Sequence, residues 1–214
     1  TDNCGDLICF NVNTMEVVWV QDVLDDTNCT PVFELNEETG EASIYVGTSL
    51  HWTVDGNNTG VIPFWRIDAL TGEVVWKAPG YRCTRSNVSG GIQDTAALGK
   101  GKLSDLVYVA YAMTTETETR GLLVAYNKAD GTEVWKKHLG AYAWSSPLIL
   151  YDDNGDGYVV QCDSAGHMYL FDGRTGETLD RLDLEGNFEA SPAAFDNMIV
   201  VGTRASKIYG VKLK

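Results

Sequence analysis

The chain has 214 residues, with 30 acidic side chains against 16 Lys and Arg and a formal net charge of −14. That balance disfavours nucleic acid and anionic membrane surfaces as partners, which it would repel. No run approaches the ~18 apolar residues that cross a bilayer, and the length suffices for one sizeable core.

From the N-terminus, Asp6-Leu7-Ile8-Cys9-Phe10 reads as a strand. It leads into a phrase, Cys9-x-Asn11-x-x-Thr14-Met15-x-x-x-Trp19, that returns three times. The later copies are Arg66-x-Asp68-x-x-Thr71-Gly72-x-x-x-Trp76, Ala125-x-Asn127-x-x-Asp130-Gly131-x-x-x-Trp135 and Leu170-x-Asp172-x-x-Thr175-Gly176-x-x-x-Asp180. Their last positions are 57, 59 and 45 residues apart. A period near 40–50 residues with four short strands per unit predicts a β-propeller.

Ile44-Tyr45-Val46-Gly47 and Leu106-Val107-Tyr108-Val109 are predicted second strands, and Leu122–Tyr126 a third. The next unit gives four strands at 146–150, 158–162, 167–171 and from 177. Between them lie Asn154-Gly155-Asp156-Gly157, Ser164-Ala165-Gly166 and Arg174-Thr175-Gly176, whose Gly and Asn accept positive φ and mark reversals. Apolar runs on both strand faces fit sheets stacked between neighbours. With no amphipathic helix in sight, the fold class is all-β, a propeller of four-stranded antiparallel blades.

About four to five blades are predicted: a half blade at 1–22, blades near 30–78, 93–139 and 145–184, and a three-strand piece at 190–214. Bare sheet edges are rarely left open. That predicts either a closed four-blade ring or a homodimer that completes a larger one.

The repeated phrase resembles the Trp-docking repeat of the pyrroloquinoline-quinone-like (PQQ-like) propellers, Ala-x-Asp-x-x-Thr-Gly-x-x-x-Trp. The resemblance covers nearly the whole chain. It implies that Trp19, Trp76 and Trp135 dock each blade on the next, a half-buried place suited to a large flat ring with one N–H. Asp180 breaks the pattern and predicts a weaker seam. Rings of this kind commonly have seven or eight blades, of which this chain would be a part. The superfamily includes quinoprotein dehydrogenases, which use adjacent, disulfide-bonded cysteines beneath the quinone. Cys4, Cys9, Cys29, Cys83 and Cys162 contain no adjacent pair, so PQQ is not expected.

Asp152-Asp153-Asn154-Gly155-Asp156-Gly157 fits the opening of a calcium loop, in which oxygens on alternate residues converge and Gly permits the turn. It resembles the calcium loops of integrin-type (FG-GAP) propeller repeats. One calcium held by Asp152, Asn154 and Asp156, with Asp163 as a further ligand, is one expectation. A plain turn capped by its own Asp and Asn is the other. Cys29 and Cys83 fall in successive crossover loops, where they would form a disulfide or stay as two free thiols. Cys9 and Cys162 read as small core residues.

No catalytic constellation is legible: His51, His138 and His167 have no partner spacing. The loops carry candidate binding residues, Trp52 outside the repeat pattern and Tyr81, Arg82, Arg85 and Trp144 in crossovers. Aromatic and Arg residues there suit a binding face. The expected function is a non-catalytic binding or scaffold module for protein partners in an extracellular, periplasmic or cell-surface setting. The alternatives are a portion of a quinoprotein dehydrogenase and a carbohydrate-binding propeller using Trp52 or Trp144.

Overall fold

The structure is a computed structural model that describes residues 1–118 and 120–213. Eighteen strands form five antiparallel sheets in chain order. Sheet I pairs β1 (Asp6–Phe10) with β2 (Val17–Asp22). Sheet II runs β3 (Val32–Leu35), β4 (Ala42–Gly47), β5 (Thr59–Asp68) and β6 (Val74–Thr84). In sheet III the first strand is split into β7 (Gly91–Ile92) and β8 (Ala97–Leu98), both on β9 (Leu106–Ala112), followed by β10 (Gly121–Asn127) and β11 (Glu133–Leu139). Sheet IV holds β12 (Leu148–Tyr151), β13 (Gly157–Cys162), β14 (His167–Asp172) and β15 (Thr178–Asp183). Sheet V holds β16 (Ala193–Phe195), β17 (Met198–Gly202) and β18 (Ile208–Lys212). A 3-10 turn at Gly101–Leu103 is the helical element among the described residues.

The phrase folds as one turn between third and fourth strands. Its Asp or Asn oxygen accepts the N–H groups that follow: Asn11 from Asn13 and Thr14, Asp68 from Leu70 and Thr71, Asn127 from Ala129, Asp172 from Thr175. An acceptor oxygen is all this asks for, so Asn serves as well as Asp. The residue at the Gly position has positive φ: 78° at Gly72, 72° at Gly131, 71° at Gly176, and 58° at Met15, which replaces Gly in sheet I. That conformation costs an L-residue roughly 1–2 kcal/mol.

Sheets stack face to face. All seven residues of β9 are buried, as a strand covered on both faces must be. One core cluster joins sheets I, II and III, a second joins III and IV, and a third joins IV and V. None of the three joins sheet V back to sheet I. The outward faces of the end sheets are open, with Ile208 79% and Phe195 87% exposed and Phe10, Val18 and Val20 exposed opposite. Among the described residues, sheets V and I share no core. Between sheets, Thr95 N–H donates to Ser146 Oγ at 2.9 Å and Ser146 N–H to Ser191 Oγ at 3.0 Å.

One boundary departs from the sequence reading. β6 continues to Thr84 rather than ending near residue 78, because β5 is lengthened to match it. The pair slips at Pro63, where Gly80 (φ +71°) packs on the Ile62 carbonyl with no room for a Cβ.

Candidate functional site: the crossover face and the Asp25 loop

The antiparallel order puts the sheet-to-sheet crossovers and the hairpins between second and third strands on one edge of the stack. The phrase turns and the 152–156 loop lie on the other edge.

On the phrase edge the three expected tryptophans dock as the repeat implies. Trp19 Nε1 donates to the Ala69 carbonyl (3.2 Å), Trp76 to Lys128 (2.8 Å) and Trp135 to Gly173 (3.0 Å). Each acceptor follows the capping Asp or Asn of the next sheet's phrase. Each ring rests on that phrase's glycine: a Cβ on Gly72, Gly131 or Gly176 would lie 2.6–2.7 Å from indole carbons. Asp180 offers no ring; it lines an open cleft of about 420 Å³ between sheets IV and V, with Met168, Leu182, Ile199 and Val211.

The 152–156 loop is built as a capped turn. Asp152 Oδ1 accepts Asn154 N–H (3.0 Å) and Asp156 N–H (2.8 Å), and Oδ2 accepts the Tyr158 hydroxyl (3.3 Å). These hydrogen bonds, led by Asp156 N–H, hold the Asp152 carboxyl below its ordinary value. From the turn at Gly101–Leu103 in sheet III, Lys102 Nζ reaches Asp156 Oδ1 at 2.7 Å. An ammonium thus stands where a calcium loop needs a cation. Asp163, expected as a further ligand, lies past the other end of β13 and takes no part. Its buried oxygens accept from Ala141, Ala165 and His167 N–H, from Tyr169 OH, and from His167 Nδ1 at 2.8 Å. No group of three or more acidic, His or Cys side chains able to hold a metal occurs among the described residues. In this arrangement Asp152 is committed to its own turn and Asp156 to Lys102.

The Cys29–Cys83 disulfide is also not formed. Both are buried free thiols, with Cys29 Sγ donating to the Gly47 carbonyl and Cys83 Sγ to that of Tyr81. Burial pushes their thiols up to about 11 and about 12, so neither is a ready nucleophile.

The five binding-face candidates separate. Tyr81 points into the core, edge-on to Tyr111, with its hydroxyl on Glu133. Arg82 is taken up by Asp55 and Thr59 on the neighbouring strand. Trp144 is half-buried, tilted against Tyr142, and its Nε1 donates to the Ser89 carbonyl of the preceding crossover. Tyr142 continues the band toward sheet V: its hydroxyl donates to Glu189 and accepts from Asn187, and Arg204 pairs with Glu189 at 3.1 Å.

Trp52 and Arg85 meet at one loop, which is organised by residues the sequence reading passed over. Asp25, fully buried, accepts the N–H groups of His51, Trp52 and Thr53 and the Thr53 hydroxyl at 2.7–3.0 Å. Burial opposes its ionisation, but the hydrogen bonds from Thr53 and Trp52 outweigh it and hold the carboxyl below its ordinary value. Asp26 Oδ2 accepts from Asn28 and Ser49 and faces His51 Nδ1 at 3.3 Å. Arg85 donates to the His51 carbonyl at 2.8 Å. The partner of His51 lies in another crossover, so no local spacing betrays it. The two consecutive aspartates after Trp19 were the available signal.

With this geometry in place, the comparisons with known proteins agree on architecture. The sequence model of a family described as outer membrane protein assembly factor BamB matches residues 119–214. The solved structure of BamB from Moraxella catarrhalis is similar at a TM-score of 0.61 and 14% identity, over 99% of this chain and 53% of that one. A europium-containing methanol dehydrogenase gives 0.61 and 15%, over 96% and 43%. The computationally designed Ika4 protein gives 0.56 and 15%, over 88% and 91%. No curated protein matches the sequence. The chain spans about half the length of BamB and less of the dehydrogenase. The fold is that of the PQQ-like repeat β-propellers. No helix among the described residues is long and apolar enough to cross a membrane.

Proposed function

We propose that this propeller segment is a non-catalytic scaffold that binds a protein partner through its crossover face, in an extracytoplasmic setting. The observation that carries the reading is the band running from Ser89 through Trp144 and Tyr142 to Glu189 and Arg204, in which side chains of successive crossovers are fixed on one another. A rigid surface spanning three sheets, aromatic at its centre and charged at its rim, suits protein recognition. The matching family, described as an assembly factor, supports a partner-binding role outside the cytoplasm.

The test is site-specific photo-crosslinking from position 142 in the native host, with Trp144→Ala and Glu189→Ala alongside. A discrete protein adduct that both substitutions weaken is expected. Absence of an adduct, or quinone-dependent oxidation of an alcohol by the purified chain, would overturn the reading.

A further inference from the structure

We propose that the loop displayed by Asp25 is a carbohydrate site, with Trp52 as the platform for a pyranose ring and His51 and Arg85 as its polar edge. It is separate from the protein-binding band and does not depend on it.

Trp52 is 60% exposed and, unlike Trp19, Trp76 and Trp135, docks no seam. Its indole lies parallel to the His51 imidazole, with centroids 4.2 Å apart and planes 6° from parallel. One indole face is therefore covered and the other open. Its Nε1 is fixed on the Asn3 carbonyl at 2.6 Å, so the ring cannot swing. The backbone beneath is held by the four donors that converge on Asp25. An exposed Trp held this firmly has already lost the rotamer freedom that binding would otherwise remove.

The surrounding chemistry selects the ligand. A pyranose presents axial C–H groups on one face, which suit an open indole, and equatorial hydroxyls around its rim. His51 Nδ1 faces Asp26 Oδ2 at 3.3 Å, which orients the imidazole and leaves Nε2 for a ligand hydroxyl. Asp26 Oδ2 is also held by Asn28 and Ser49, which fix the carboxylate that His51 faces. Arg85 spends one N–H on the His51 carbonyl and brings its guanidinium to the same edge. Beyond Trp52 the loop continues as Thr53, Val54, Asp55, Gly56, Asn57 and Asn58, with Val54 turned to the core. A single ring bordered by polar groups is what a sugar requires.

The experiment titrates the ¹⁵N-Trp-labelled chain with chitotriose, cellotriose and trigalacturonic acid, and in parallel with a Pro- and Tyr-rich decapeptide. The Trp52 indole N–H signal is assigned by its loss in Trp52→Phe. Saturable movement of that signal with at least one of the three sugars is expected, at a Kd on the order of 1 mM. Affinity should fall at least about tenfold in Trp52→Ala, the equivalent of about 1.4 kcal/mol, and fall in Arg85→Gln, while Trp144→Ala binds as wild type. Melting curves establish that each variant is folded. If Trp52→Ala did not fold, Trp52→Phe and the wild-type shifts would decide. No shift with any of the three sugars, an affinity indifferent to Trp52, or response to the peptide alone would overturn the proposal.

Discussion

The indole of Trp76 lies on the α-carbon of Gly131 in the next sheet while its Nε1 donates to the Lys128 carbonyl, three residues before that glycine. The same carbonyl accepts from Arg66 at 3.1 Å, so one turn of sheet III anchors two side chains of sheet II. Trp76→Ala should cost roughly 3–5 kcal/mol, the range for emptying a buried aromatic site. Gly131→Ala should cost about 2 kcal/mol although it adds one methyl, because positive φ and the ring oppose the same Cβ. Urea denaturation measures both, and a Gly131→Ala midpoint equal to wild type would refute the docking geometry.

Asp94 predicts an unusual pH dependence. It is 1% exposed, Oδ2 accepts Ala110 N–H at 3.0 Å and Oδ1 has no partner. Burial pushes its carboxyl up to about 8 from an ordinary 3.8. Between those values the folded chain holds a proton that the unfolded chain has lost. This group's contribution therefore falls as pH rises through that window and levels off above about 8. Asp94→Asn keeps an acceptor for Ala110 and removes the titration. Its melting temperature should exceed wild type at pH 9 by more than at pH 5; parallel profiles would show that Asp94 is not held protonated.

At the last seam, Asp180→Trp should reach into the cleft beside Met168 and Ile199. Burying most of an indole there should add about 1–2 kcal/mol. Thermal melts decide it, and a destabilised variant would mean that sheets IV and V stack in a different register from the other three seams.

Because Lys102 engages Asp156, chelation or added calcium should leave the melting temperature unchanged. Lys102→Ala should not create a calcium response either, since Asp152 remains committed to the N–H groups of its own turn. A saturable rise in stability with calcium would contradict this.

The architecture was legible because it is written locally and repeatedly. Capping oxygen, left-handed turn and docking ring all fall within eleven residues, and each copy reinforces the others. The loops were not, because their partners are remote. Asp25 serves His51 to Thr53 from another crossover, and Tyr81 faces inward on a strand that outran its expected end. The surroundings of the 152–156 loop were hidden for a related reason. Spacing places Asp152, Asn154 and Asp156 on one turn, but gives no hint of the lysine that sheet III extends over it.

Each of the first three seams takes its ring from the earlier sheet and its seat from the later one. The stack therefore has a polarity, with a donor side and a receiver side on every inner unit, as in tongue-and-groove boards. Any unit carrying both halves could be copied in tandem and still find a matching neighbour. Losing a single ring loosens one joint and leaves the remainder intact, so a lineage built this way can lengthen, shorten or tolerate an Asp180 without redesigning the whole.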